Sequence, residues 1–258
     1  MVSTYVSYAS ITRDLNLSLK RVEQQPFVKR ETEYYLENIG KVKTIDEFVG
    51  DRRLFAYAMK AHGLEDMTYA KAFMVKALEG GVDADDSFAN SLSDKRYKDF
   101  VESFNFARHG ETATVFTRAQ QGTVDKYMRQ TMEEDAGSSN EAVRLALYFE
   151  RKAPSITNMY EILADTALAK VVRTTLGLPD SFAMLDIDKQ VDILKTRIDI
   201  EDLKDPEALS KLITRFTSMW DVENQTNTGV ANVSILFSKP ASFGISTDLL
   251  LAMQQLKA

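Results

Sequence analysis

Apolar residues along this chain recur at three- and four-residue spacing, the period of a helix with one buried face. From Ile45 onward, Phe48, Val49, Phe55, Ala58 and Met59 share such a face. Thr44-Ile45-Asp46-Glu47 precedes them as a capping box, in which the Thr hydroxyl accepts from the third helical amide and the Glu side chain reaches back. The pattern predicts one helix running to His62, with Gly63 as its left-handed stop. Thr68 starts a second helix through Leu78, ended by Gly80-Gly81. Ser93 or Asp94 caps a third, with Tyr97, Phe100, Val101 and Phe104 on one side.

The second half repeats this grammar. Asn140 caps a helix that ends before Pro154, and Asn158-x-x-Glu161 opens another that ends at Gly177. Asp186 starts a helix through Ile198, and Asp205-Pro206 is a cap followed by Pro at the first helical position. Residues 111–135 read as one connecting helix, closed by Gly137-Ser138-Ser139. Residues 224–246 are rich in Asn, Thr and Ser, which predicts loop with a short strand over Val230–Phe237; Asp248–Leu256 reads as a last helix.

Two segments align without a gap. Tyr34 and Tyr148 lie 114 residues apart, and the same offset joins Glu47 to Glu161, Asp51 to Asp165, Leu54 to Leu168 and Gly63-Leu64 to Gly177-Leu178. Caps and apolar positions agree too: Thr44 with Asn158, Ile45 with Met159, Phe48 with Ile162. Agreement of cap, stop and buried face at one offset describes a single physical unit used twice. The expectation is therefore an all-α, multihelical protein with two tandem pseudo-symmetric repeats. Its segments are an N-terminal piece (1–25), repeat 1 (26–110), a connector helix (111–139), repeat 2 (140–222) and a polar loop with a C-terminal helix (223–258).

Composition narrows the class. Hydrophobic residues at 44% and charged residues at 27% describe a folded chain, and only 11 Gly and 5 Pro favour long helices over turn-rich sheets. The net charge of −6 argues against a nucleic-acid partner, since an acidic surface repels phosphate. The absence of Cys removes disulfides, thiolate metal sites and thiol nucleophiles. No run approaches the roughly 20 apolar residues of a membrane span, and the start, Met1-Val2-Ser3-Thr4-Tyr5-Val6, lacks a secretory signal pattern. The expected location is the cytoplasm, with association with the flagellum, or export without such a signal, as the alternative.

The run Ile45-Asp46-Glu47-Phe48-Val49 and the stretch Leu64-Glu65-Asp66-Met67-Thr68-Tyr69-Ala70-Lys71-Ala72-Phe73 resemble an uncharacterised bacterial family, a domain of unknown function often encoded among flagellar genes. The resemblance is strongest over residues 25–110, and Gly244-Ile245-Ser246-Thr247-Asp248-Leu249-Leu250 is also similar. It implies a helical fold and a link to the flagellum. It implies no activity and carries over no functional residue.

Local chemistry is sparse. Arg108-His109-Gly110-Glu111-Thr112 spells the signature of histidine phosphatases, in which the His is a phosphorylated nucleophile and the Arg neutralises phosphate. Those enzymes place it after a strand and need a second His downstream. Here a helical run precedes it and the other His, His62, lies upstream. Asp83-Ala84-Asp85-Asp86 and Asp186-Ile187-Asp188 miss the Gly and Glu positions of a calcium loop. Glu133-Glu134-Asp135 sits near a helix end, as a solvated cluster or a contact for a basic partner. If Tyr57 and Phe106 face outward, they offer a partner-binding patch, whereas Trp220 is expected to pack.

No catalytic, cofactor-binding or metal-binding residue is nominated. The reading that follows is a non-catalytic structural or protein-interaction protein with protein partners, flagellar components among them. The Ser/Thr-rich start and the last helix would serve as assembly or export segments. Two alternatives stand beside it: a small-ligand binder with an apolar pocket between the repeats, and a phosphatase using Arg108, His109, Gly110 and Glu111.

Overall fold

A computed structural model describes residues 3–224. Helices joined by turns make up this region, and no strand occurs among the described residues. The expected strand at Val230–Phe237 and helix at Asp248–Leu256 lie outside it. Met1–Trp220 form one compact unit.

The chain opens with two short helices, α1 (Thr4–Thr12) and α2 (Leu15–Glu23), capped by the Ser3 hydroxyl and the Asp14 carboxylate. α3 (Pro26–Ile39) places Pro at its first position, where the missing amide costs nothing. The capping box at Thr44 and Glu47 forms as expected, but the helix it starts is α4 (Ile45–Gly50) and stops there. Asp51 turns to an extended conformation and caps a new helix, α5 (Arg52–Ala61), its carboxylate accepting from the amides of Arg53 at 2.9 Å and Leu54 at 3.1 Å. The predicted single helix to His62 is thus two, because one carboxylate satisfies two orphan amides at the break. Gly63 follows at φ +70°, as a left-handed stop.

Thr68 closes a short 3-10 turn rather than opening a helix, and α6 (Lys71–Gly80) starts three residues later. α7 (Phe88–Ser91), α8 (Lys95–Ser103, capped by Asp94) and α9 (Phe106–His109) complete the first half. The connector helix starts later than expected, though it ends at Ser139. Residues 111–120 form turns, and α10 (Gln121–Ser139) begins only after them. It then runs straight through Gly137, the residue read as a break. A Cβ there would lie 2.8 Å from Arg144 Cδ, so the glycine lets that side chain cross the helix closely.

The second half comprises α11 (Glu141–Lys152), α12 (Met159–Ala164), α13 (Thr166–Leu176), α14 (Ile187–Lys195) and α15 (Pro206–Asn224). Again the predicted helix from Asn158 to Gly177 is broken, here by Asp165, which accepts from the amides of Ala167 at 2.9 Å and Leu168 at 3.1 Å. The bounds of α4 and α12 differ by 114 residues at both ends, and α5 and α13 begin 114 apart. Tyr34 donates its hydroxyl to Asp51 at 2.7 Å, and Tyr148 donates to Asp165 at 2.5 Å.

The core centres on rings. Phe48 lies 4.7 Å from Phe104 and 5.9 Å, edge-on, from Phe55, the geometry aromatic pairs prefer. Tyr57 stacks on Tyr35 at 4.4 Å and on Tyr127 at 3.8 Å, which ties α3 and α5 to α10. α10 packs against α2, α5 and α11, while α1 lies on α11. The N-terminal segment is therefore part of the packed unit: Thr4 is fully buried and accepts from Asn140 Nδ2 at 2.9 Å.

Candidate functional site

The phosphatase-like run is placed for structure. A four-residue helix capped by Asn105 precedes Gly110, where the enzyme signature follows a strand. Arg108 forks onto Asp83, with its Nε at 2.7 Å from the carboxylate, so its guanidinium is already committed. The His109 ring rests 4.6 Å from the Phe116 ring, and Gly110 takes φ +52° to turn the chain. His109 Nε2 is buried and has no hydrogen-bond partner, and desolvation followed by nearby Arg118 and Arg108 lowers its pKa.

The acidic clusters are pins. Glu133 is buried and accepts from Arg129 Nε at 2.9 Å and from Arg151 Nε and Nη2, both at 2.8 Å. Glu134 pairs with Lys60 at 2.8 Å, and Asp135 accepts from Gln25 at 2.7 Å. These three consecutive acids, read as a solvated end or a partner contact, instead join α10 to α11, α5 and the residue before α3. Asp186 caps α14, and Asp188 accepts from the Tyr160 hydroxyl at 2.8 Å. Among the described residues no group of His, Asp and Glu is arranged to hold a metal ion.

Two concavities bear on function. The first is a cleft of about 370 Å³ where the end of α5, the start of α8, α10, α11 and the start of α13 converge. His62 sits at its base. Its Nδ1 lies 2.8 Å from the Ala58 carbonyl, which only accepts, so Nδ1 carries the proton and Nε2 presents a lone pair. Ser103 spends its hydroxyl proton on the Asp99 carbonyl at 2.9 Å. Lys126 Nζ must then be the donor to both His62 Nε2, at 3.0 Å, and Ser103 Oγ, at 2.9 Å. Burial, aided by the Lys126 and Lys152 ammonium groups, pushes the His62 pKa down to about 3, so the ring is neutral at physiological pH. Desolvation in the crowded cleft lowers the Lys126 pKa as well.

The second is an open groove of about 830 Å³ beside α3, α5 and the 65–71 segment. Tyr69 is 80% exposed and Phe27 58% exposed along it, and Arg52 also lines it, without a hydrogen-bond or ion-pair partner among the described residues. The outward aromatics along this groove are Phe27 and Tyr69. Tyr57 and Phe106, the pair expected to face a partner, are buried. Trp220 packs at 5.9 Å on Phe216, as expected.

Sequence reasoning missed the cleft and the groove. Each draws on stretches far apart in the chain, and no local motif marks either. The signal available was indirect: an apolar residue at the second position of α3 (Phe27) and a Tyr in a polar connection (Tyr69), both outside the helical face pattern.

The fold defines an all-α, multihelical protein in which no described helix is long and apolar enough to cross a membrane. A family model described as "protein of unknown function (DUF1217)" matches residues 61–209, and the chain belongs to that family. It is also similar to a protein from Agrobacterium tumefaciens solved by X-ray crystallography in a structural genomics programme. The two are 51% identical over 87% of this chain and 97% of that one, with a TM-score of 0.80. No curated protein matches.

Proposed function

We propose that this protein is a non-catalytic interaction scaffold whose partner docks in the groove between Phe27 and Tyr69. The observation that carries this reading is a groove that brings two exposed aromatics together with the free Arg52. Rigid aromatic side chains and arginine are the residue types that dominate binding energy at interfaces. Arg52 and Lys71 line the groove without an acid partner among the described residues; of its two acids, Glu31 is paired with Arg53 at 3.0 Å and Glu65 is unpaired, so the free charge is mainly positive. The complementary partner is a protein segment that presents apolar side chains flanked by acids. The resemblance to a family encoded among flagellar genes makes flagellar components the partners to look for.

The test is affinity capture of the tagged full chain from its native cells while they make flagella. Wild type is compared with the Phe27→Ala/Tyr69→Ala double variant. Recovery of flagellar components by wild type, falling at least about 30-fold in the variant, supports the reading; removal of such anchors costs about 2 kcal/mol or more. Equal recovery by both would move the interface elsewhere, and recovery of nothing would detach the protein from the flagellum. Phosphatase activity that disappears in a His109→Ala variant would replace this reading with an enzymatic one.

A further inference from the structure

The cleft at His62 has an uneven charge account. Asp94 holds Arg96 at 2.7 Å, Asp99 holds Lys152 at 3.2 Å, and Glu141 holds Lys170 at 2.7 Å. Glu133 is shared between Arg129 and Arg151. Asp165 accepts from the Tyr148 hydroxyl and two amides at the start of α13. Every carboxylate lining the cleft is therefore satisfied. Two cations are not: Lys126 and Arg144 line the same cleft, and neither has a carboxylate within ion-pair distance among the described residues.

Their placement is built rather than incidental. Lys126 spends two of the three ammonium donors on His62 and Ser103, which fixes its head group and leaves one N–H for the cleft. His62 assists only as a neutral acceptor, so it holds the ammonium without cancelling its charge. Arg144 lies with its stem across Gly137, where a Cβ would come within 3.0 Å of its own Cβ. The bare backbone of α10 thus fixes the course of the Arg144 stem, and the side chain lines the cleft. The volume, about 370 Å³, falls within the ~300–1,000 Å³ of small-molecule sites and exceeds what a bare ion needs.

We propose that this cleft binds a small organic anion, with Lys126 and Arg144 gripping its carboxylate or phosphate group from two sides. The surrounding ion pairs and the Tyr148 hydroxyl supply polar contacts for the rest of the molecule. This site is separate from the groove of Phe27 and Tyr69, so its occupancy and partner capture are independent measurements.

The experiment is isothermal titration calorimetry of the full chain at low salt, with citrate as a carboxylate probe and glucose 6-phosphate as a phosphate probe. Saturable binding of at least one probe, with one site per chain, is expected. It should weaken at least tenfold in both Lys126→Met and Arg144→Gln, and stay unchanged in Arg30→Gln, which alters an exposed arginine elsewhere. Lys126→Gln serves as the second variant should the Met form fail to fold. Preference for one probe identifies the anion's chemistry. Absence of saturable binding by both probes, or wild-type affinity in either cleft variant, overturns the site.

Discussion

His62 concentrates the residue-scale physics of this protein. Buried and neutral, it binds no proton in the native state until the pH nears its depressed pKa of about 3. An unfolded His takes one up near pH 6.5. Between those limits the unfolded state binds more protons, so stability falls as the pH falls, by up to about 1.4 kcal/mol per unit. Urea unfolding from pH 7 to about 5 reads the histidines, because most carboxylates titrate lower; His109, also lowered, adds to the slope with the same sign. His62→Asn, which keeps a donor for the Ala58 carbonyl, should flatten the slope; an unchanged slope would place the titration elsewhere. Glu133 is the opposite case, a buried charge made tolerable by Arg129 and Arg151. Replacing it with Ala leaves Arg151 without its carboxylate and Arg129 with only Glu150 at 3.6 Å, and should cost about 3 kcal/mol. A loss under about 1 kcal/mol in chemical denaturation would mean water already reaches the arginines.

Elements are delimited by polar caps and glycine stops, and those are the features a sequence displays best. Thr44, Asn140, Asn158, Gly63 and Gly177 do what their types promise. The breaks at Asp51 and Asp165 were harder to read, because Asp fits a helix surface as well as a cap and the apolar period continues across both. Gly137 was misread for a tertiary reason: what makes glycine necessary is Arg144, on the next helix. This yields a prediction with an unusual sign. In an ordinary helix interior Gly→Ala stabilises by about 1 kcal/mol. Here the added methyl meets Arg144, so Gly137→Ala should destabilise by about 1 kcal/mol or more, as overpacking does. Thermal unfolding decides between the two signs, and a raised midpoint would show that α10 and α11 separate easily.

At the scale of the molecule, the cleft and the groove occupy related faces. Phe27, Glu31, Arg52 and Arg53 of the groove stand 114 residues before Glu141, Leu145, Thr166 and Ala167 of the cleft. In the second half that face meets the end of α5 and the start of α8. In the first half it stays open, which suits a docking surface. Neither was legible in the sequence, since the cleft alone gathers side chains from five separate stretches. The N-terminal segment teaches the same lesson. As sequence it suits a free export arm, but Tyr8 and Val22 are buried, Thr4 is bonded to Asn140, and α1 and α2 pack on α11 and α10. Deleting residues 1–24 would strip two large buried side chains, worth about 1.5–3 kcal/mol each, and would leave the apolar faces of α10 and α11 wet. For a domain of this size each kcal/mol moves the melting midpoint by about 2–4 °C. The truncated chain should therefore melt about 10 °C or more below the full chain by circular dichroism. A midpoint within a few degrees would mean that α1 and α2 are an appendage after all, free to leave the body without loosening it.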